Sequence, residues 1–303
     1  MISGAAGLWS PTGAGEWPTL TVITPVYNGA DLLEHCISSV LSQQYPRLEY
    51  GIVDGGSTDG TLEIIRRYED RLTFWTSESD RGQADALNKG FRRASGTLVC
   101  WLNADDYFYP GALAAAAKAY AADPAAPFYF GNGHRVDREG NEIGEFFPRG
   151  HVRFVRDALV FGLNYILQPA TFIRRAALDR VGFLDPSLHY GFDTDLWLKL
   201  SALGEPRVIR KVLAASREYA ETKTSIGSFE RAEELRQIAA KHAQVAATPG
   251  SVCYYLHTLH RLAAARGDVF PHDYLLAVEQ FWAATARLLM RYGARSDGFP
   301  VGD

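Results

Sequence analysis

Asp105 and Asp106 stand side by side directly after the apolar run Thr97-Leu-Val-Cys-Trp-Leu102. Two adjacent carboxylates beside a low-dielectric strand raise each other's pKa, and a divalent cation removes that cost. Proteins hold Mg²⁺ or Mn²⁺ in this way, with one or two carboxylates and a shell completed by substrate phosphates and water. The same pair suits a turn or a cap before Pro110, since Asp is common in both roles.

A second group is Asp54-Gly-Gly-Ser-Thr-Asp-Gly60. Its glycines let backbone N–H groups approach a ligand, and Ser57, Thr58 or Asp59 can cap the helix that starts at Thr61. The Asp54 carboxylate could accept hydrogen bonds from a nucleobase or ribose edge; a ligand-free βα turn fits as well. A third group runs from Asp80 to Gly90, where Arg81 sits at the mouth of a predicted helix. A cation and a helix N-terminus together suit a diphosphate. Asp85 and Lys89, four residues apart, also read as an ordinary helix pair.

These groups must be placed by regular elements. Short β-branched runs at 20–24, 50–53, 72–75 and 98–102 alternate with helical patterns at 31–41, 61–68 and 84–93. Such alternation predicts an α/β fold with a doubly wound, mainly parallel sheet. Ligands of these sheets bind beyond the carboxyl ends of the strands, at a topological switch point. The polar groups lie there: Thr24-Pro-Val-Tyr-Asn28, Asp54 to Asp59 and Asn103-Ala-Asp-Asp106 each follow a strand. Beyond Pro110 the pattern gives an Ala-rich helix at 112–122, a strand at 128–130 and a hairpin through Arg138-Glu-Gly-Asn141. A strand at 170–174 and a helix at 193–203 follow. The expected division is a flexible lead-in at 1–18, a catalytic domain at 19–227 split near 110, and a C-terminal helical region at 228–303 without chemistry of its own.

Bulk properties narrow the classes. A net charge of -4 gives no reason to expect a nucleic-acid partner. No run of 18 apolar residues exists to span a bilayer, and the lead-in lacks the charge and apolar core of a signal peptide. Cys36, Cys100 and Cys253 form no CxxC pair and read as buried thiols in a reducing cytoplasm. His134 and His151 read as structural. The stretch 274–292 reads as a basic-tipped amphipathic helix, suited to packing on the domain, to a second subunit, or to peripheral membrane contact.

Taken in order, Thr24-Pro-Val-Tyr-Asn28, Ile52 to Thr61, Asp80 to Gly90 and Trp101-Leu-Asn-Ala-Asp-Asp106 resemble the successive motifs of family 2 glycosyltransferases. The resemblance continues through Gln168 to Arg175 and Gly191-Phe-Asp-Thr-Asp-Leu-Trp, covering roughly residues 19–225. It implies a GT-A fold, Rossmann-like, with a C-terminal helical appendage. It also implies inverting transfer of a hexosyl or N-acetylhexosaminyl group from a nucleotide diphosphate sugar, UDP-linked above all, with Mn²⁺ or Mg²⁺. The acceptor would be a saccharide or lipid-linked saccharide, as in polysaccharide or O-antigen assembly.

By the same resemblance Thr24, Pro25, Tyr27 and Asn28 line a nucleobase pocket, Asp54 meets the base, and Arg81 and Asp85 lie by the nucleotide sugar. The Asp-x-Asp motif of the family falls on Asn103-Ala104-Asp105. Its first position is Asn here, so metal binding rests on Asp105 and Asp106. Asp193 takes the place of the general base, which removes the acceptor proton as the hydroxyl attacks. Asp195, two residues on, is a second candidate; the two point to different helix faces, so only one can be the base. Where relatives carry a His that can complete the metal shell, this chain has Tyr219; Arg217 and Lys223 are candidates to clamp the diphosphate.

The rivals are a nucleotidyltransferase and a non-catalytic nucleotide-sugar-binding module, the second kept open by Asn103 and Tyr219. A dinucleotide oxidoreductase would need G-x-G-x-x-G after the first strand, and Thr24-Pro-Val-Tyr-Asn-Gly29 is not that.

Overall fold

The computed structural model describes residues 17–147, 153–223 and 228–266. Most of the lead-in, His151 and the 274–292 stretch lie outside the described residues.

One nine-stranded sheet organises the molecule, in the order β3-β2-β1-β4-β8-β6-β9-β5, with β7 paired to β6. The strands are β1 (Leu20–Val26), β2 (Leu48–Asp54), β3 (Phe74–Ser77), β4 (Leu98–Trp101), β5 (Tyr107–Phe108), β6 (Phe128–Val136), β7 (Glu142–Glu145), β8 (Thr171–Arg174) and β9 (Arg207–Arg217). Strands β3, β2, β1 and β4 are mutually parallel. Strand β8 joins β4 antiparallel and carries the sheet into its second half. The helices are α1 (Ala30–Leu41), α2 (Thr61–Arg67), α3 (Gln83–Arg93), α4 (Ala112–Ala122), α5 (Arg156–Phe161), α6 (Arg175–Val181), α7 (Phe192–Ser201), α8 (Phe229–Ala243) and α9 (Pro249–Arg266).

Period-two side-chain alternation decides which face each residue feeds. In β4, Leu98 and Cys100 enter one apolar cluster with α1 and α4, whereas Val99 and Trp101 enter another with α3 and α7. Both faces are therefore covered, which is why β1 is buried along its whole length and β4 is apolar throughout. Trp101 stacks on Trp197 of α7 with centroids 5.5 Å apart, and both are fully buried. Each such side chain contributes roughly 1.5–3 kcal/mol of burial energy. Ile238 of α8 enters this second cluster too, so α8 shares the domain's core.

Strand β3 lies two residues later than its β-branched run suggests, and α7 begins at Phe192. Strands β5 and β9 and helices α5 and α6 are not evident from periodicity. Strand β9 runs parallel to β6 with register shifts at Gly131–Gly133, and these bulges break the alternation that would have revealed it.

Candidate active site

Strands β1 and β4 are neighbours, yet α1 leaves from one toward β2 and the chain beyond β4 continues the other way. Their carboxyl ends open into a cleft of about 770 Å³. Pro25, Tyr27 and Asn28 line it from β1, and Asn103, Ala104, Asp105 and Asp106 from β4.

The β1 side is fixed by reciprocal bonds to the loop after β2. The Asn28 N–H donates to Ser57 Oγ at 2.7 Å, and the Thr58 N–H donates to Asn28 Oδ1 at 2.9 Å. Asn28 has φ of 49°, a left-handed conformation that Asn tolerates better than most residues. Tyr27 is left 66% exposed at the rim, with Gly55 and Asp80 close to its ring. Thr24 and Asp54 stand behind this surface and do not line the cleft. The Thr24 hydroxyl lies 3.0 Å from Tyr50 Oη in the core. The Asp54 carboxylate accepts from the Gly56 and Ser57 N–H groups, both at 3.0 Å, and from the Ser57 and Ser77 hydroxyls. It is thus fully occupied in shaping its turn. Arg81 and Asp85 also lie off the cleft and pair with each other at 3.2 Å.

The β4 side is a network. Asn103 accepts from Gln83 Nε2 at 2.7 Å and donates to Asp106 at 3.2 Å and Gln168 at 3.1 Å. Gln168 in turn donates to the Trp101 carbonyl at 2.8 Å. The two adjacent acids face different ways. Asp106 is 3% exposed and accepts from the Arg217 N–H at 2.9 Å, bracing the end of β9. Burial, and then the charge of Asp105, push its carboxyl well above the usual range. Asp105 lines the cleft and accepts from the Tyr219 hydroxyl at 3.0 Å. Burial raises its pKa as well, with the Tyr219 bond pulling the other way.

Arg217 lines the cleft but is only 5% exposed, and protein groups engage its guanidinium. Its guanidinium donates to the Asp105 and Arg138 carbonyls, lies 2.9 Å from His35 Nδ1, and stacks over Tyr107. Lys223 does stand at the cleft, donating to Gln83 Oε1 at 3.3 Å.

Asp193 and Asp195 are separated by environment. Asp193 lines the cleft and accepts from the Thr194 N–H at 2.6 Å and from Asn164 Nδ2 at 3.3 Å. Burial raises its pKa despite these bonds and the positive charge of Arg231. Asp195 is 1% exposed and faces away, ringed by Lys199 at 2.5 Å, His242 at 2.9 Å and Lys241 at 3.4 Å. Burial works against its charge, but the bonds from His242 and Lys199 outweigh it and hold the carboxyl far below the usual range.

The C-terminal helices add residues for which the sequence carries no signal. Arg231, Leu235 and Tyr254 line the cleft. Glu234 of α8 accepts three backbone N–H bonds from the turn before α7: His189 at 2.8 Å, Tyr190 at 2.7 Å and Gly191 at 2.7 Å. A Cβ at Gly191 would lie 2.6 Å from the Ile238 terminal methyl and 2.9 Å from a Leu235 methyl, so a larger residue there would require those side chains to shift. These helices therefore do carry part of the site, against the expectation of a chemically silent tail. An ordinary amphipathic pattern in α8 gave no means of telling Glu234 from a solvated surface acid.

Residues 21–182, more than half of the chain, match the model of the family described as glycosyl transferase family 2. The chain is 31% identical over 198 residues to an uncharacterized glycosyltransferase of Mycobacterium tuberculosis, covering 65% of this chain and 74% of that one. It superposes on S. aureus TarS 1–349 in complex with UDP-GlcNAc with a TM-score of 0.60, at 17% identity and over 94% of this chain and 95% of that one. The mannosyltransferase PcManGT of Pyrobaculum calidifontis, in complex with GDP-Man and Mn²⁺, gives a TM-score of 0.58 at 22% identity, over 92% and 86% of the two chains. At these identities the structural likeness concerns the fold, which is of the GT-A type.

Proposed function

The chain belongs to glycosyl transferase family 2, and from that premise we propose that it moves a sugar with inversion from a nucleoside diphosphate to an acceptor hydroxyl, with Asp193 as the base. The observation that carries this reading is the placement of Asp193 in the cleft opened by β1 and β4, with a raised pKa, while Asp195 is held outside it by Lys199, Lys241 and His242. A base that titrates closer to working pH takes a hydroxyl proton more effectively.

The nucleotide lies along Pro25, Tyr27 and Asn28, with the Tyr27 ring as the surface on which a base stacks. Thr24 and Asp54 support that surface from behind, and the Arg81–Asp85 pair stands outside it. UDP is the nucleotide we favour on the family resemblance, and the bound UDP-GlcNAc of TarS accords with it. The acceptor is a saccharide, free or lipid-linked, of the kind used in polysaccharide assembly.

Among the described residues no three His, Cys, Asp or Glu side chains are grouped to hold a metal ion. The one carboxylate of the pair that lines the cleft without bracing β9, Asp105, would instead hold an Mn²⁺ or Mg²⁺ ion that arrives with the donor phosphates, a mode usual for Mg²⁺. Asp106 acts as the brace behind it. Such an ion would neutralise charge on the departing diphosphate. What the chain itself supplies is the positioned base, the Gln83–Asn103–Gln168 network beneath the reacting groups, and Lys223 as a cation at the cleft.

The test is release of nucleotide from UDP- and GDP-sugars with and without Mn²⁺, for the wild-type chain and Asp193→Asn. Metal-dependent release in the wild type, lost in the variant while donor uptake persists, is the expected result. Undiminished release from Asp193→Asn would remove Asp193 from the reaction.

A further inference from the structure

Arg231 sits on the first turn of α8 and faces the cleft beside Asp193. Its guanidinium lies 5.4 Å from the centroid of the Tyr254 ring. Among the described residues no carboxylate comes within ion-pair distance of it, and its side chain makes no hydrogen bond to protein. The other cleft cations are engaged. Arg217 is saturated by carbonyls and His35, Arg138 pairs with Asp31 at 2.9 Å, and Lys223 donates to Gln83. A half-buried guanidinium with five donors and no protein acceptor is costly unless a ligand or water meets it.

The guanidinium is also held in place relative to the base. The Tyr254 hydroxyl accepts from the Asn164 N–H at 3.2 Å, and the Asn164 side chain donates to Asp193 at 3.3 Å. Arg231 stacked on Tyr254 is thus tied through Asn164 to Asp193. Its positive charge also acts on Asp193. Arg231 therefore belongs to the wall of the base.

We propose that Arg231, backed by the Tyr254 ring, binds an oxyanion carried by the acceptor, a carboxylate or a phosphate, next to the hydroxyl from which Asp193 takes the proton. The proposal rests on the reading of Asp193 given above. The guanidinium fork matches both oxyanions, and a cation at this point keeps an anionic acceptor from being repelled by Asp193.

The experiment is calorimetric titration of the full chain, with UDP and Mn²⁺ present, by three probes: p-nitrophenyl β-glucoside, its 6-phosphate and p-nitrophenyl β-glucuronide. At least one anionic probe should bind about ten-fold or more tightly than the neutral glucoside, a difference of about 1.4 kcal/mol. Arg231→Gln should abolish that preference and Arg231→Lys restore part of it. Preference for the glucuronide alone assigns a carboxylate, and for the phosphate alone a phosphate. Equal binding of all three probes, binding of none, or a preference that survives Arg231→Gln overturns the proposal. So does loss of UDP uptake in Arg231→Gln, which would give the guanidinium to the donor. A wild-type chain with anion preference that takes up neither UDP nor GDP would sink the proposed function and leave the anion site standing.

Discussion

The wall of the cleft that follows β1, β2 and β4 is held by short loops bonded to one another, whereas the wall that carries Asp193 is held by helices from the far end of the chain. On the first wall, Asn28 reaches Ser57 and Thr58, and Asn103 reaches Gln83 and Gln168. On the second, Glu234 anchors the turn before α7, and Tyr254 anchors Asn164. On the proposed reading, the loop wall offers a nucleotide the backbone and amide groups fixed at strand ends. The helical wall adds separately placed charges, which set Asp193 and Asp195 in different environments. Donor binding and proton removal should therefore fail independently.

The sharpest break of this kind is Asp193→Asn, expected to lower kcat by roughly a thousand-fold, within the range of general-base catalysis, with little change in nucleotide affinity. Parallel loss of affinity would mean that the two walls are not separate. Next comes Asp195→Ala, which leaves Lys199, Lys241 and His242 facing an empty site. Removing one partner of a buried ion cluster costs about 3–5 kcal/mol, and urea unfolding would measure it. The sign with pH follows from the depressed carboxyl. Its contribution is present above the ordinary value of 3.8 and fades as pH falls below it.

Glu234→Ala tests whether the anchor matters to chemistry. The loss of three charge-assisted bonds to residues 189–191 should lower kcat by about ten- to a hundred-fold through misplacement of Asp193. KM for the donor should hold; a rise in donor KM alone would place the effect on the wrong wall. The smallest change belongs to Asn164→Ala. Because burial raises the Asp193 pKa above 3.8, activity should decline on the acid side from a pH above that value. Deleting the Asn164 donor, 3.3 Å from the carboxylate, disfavours the charged form and should move that decline upward. A pH–rate profile unmoved by the variant would show that Asn164 does not touch the base in solution.

The same contrast governs what could be read without coordinates. The loop wall is contiguous in sequence: strand, then polar turn, three times over, so β1, β2 and β4 and the residues after them were legible. Even there the reading reached residues and not their orientation. Asp105 and Asp106 look equivalent as a pair, and only β9 closing over Asp106 separates them. The helical wall is assembled from positions such as 164, 193, 234 and 254, whose meeting depends on how α8 and α9 lie across α7. No local pattern encodes that. Tyr219 was noticed for standing in place of a His, yet its contact with Asp105 needed β9, which the bulges at Gly131–Gly133 hid.

The missing Cβ at Gly191 has an evolutionary consequence. Because Ile238 and Leu235 occupy the space where a side chain would begin, the turn at 189–191 and helix α8 interlock like a key and its ward. A grafted C-terminal segment from a relative would seat only with its own matching turn. The two stretches, more than forty residues apart in the chain, should therefore be inherited as one exchangeable cassette, and a chimera that splits them should lose turnover while still capturing nucleotide.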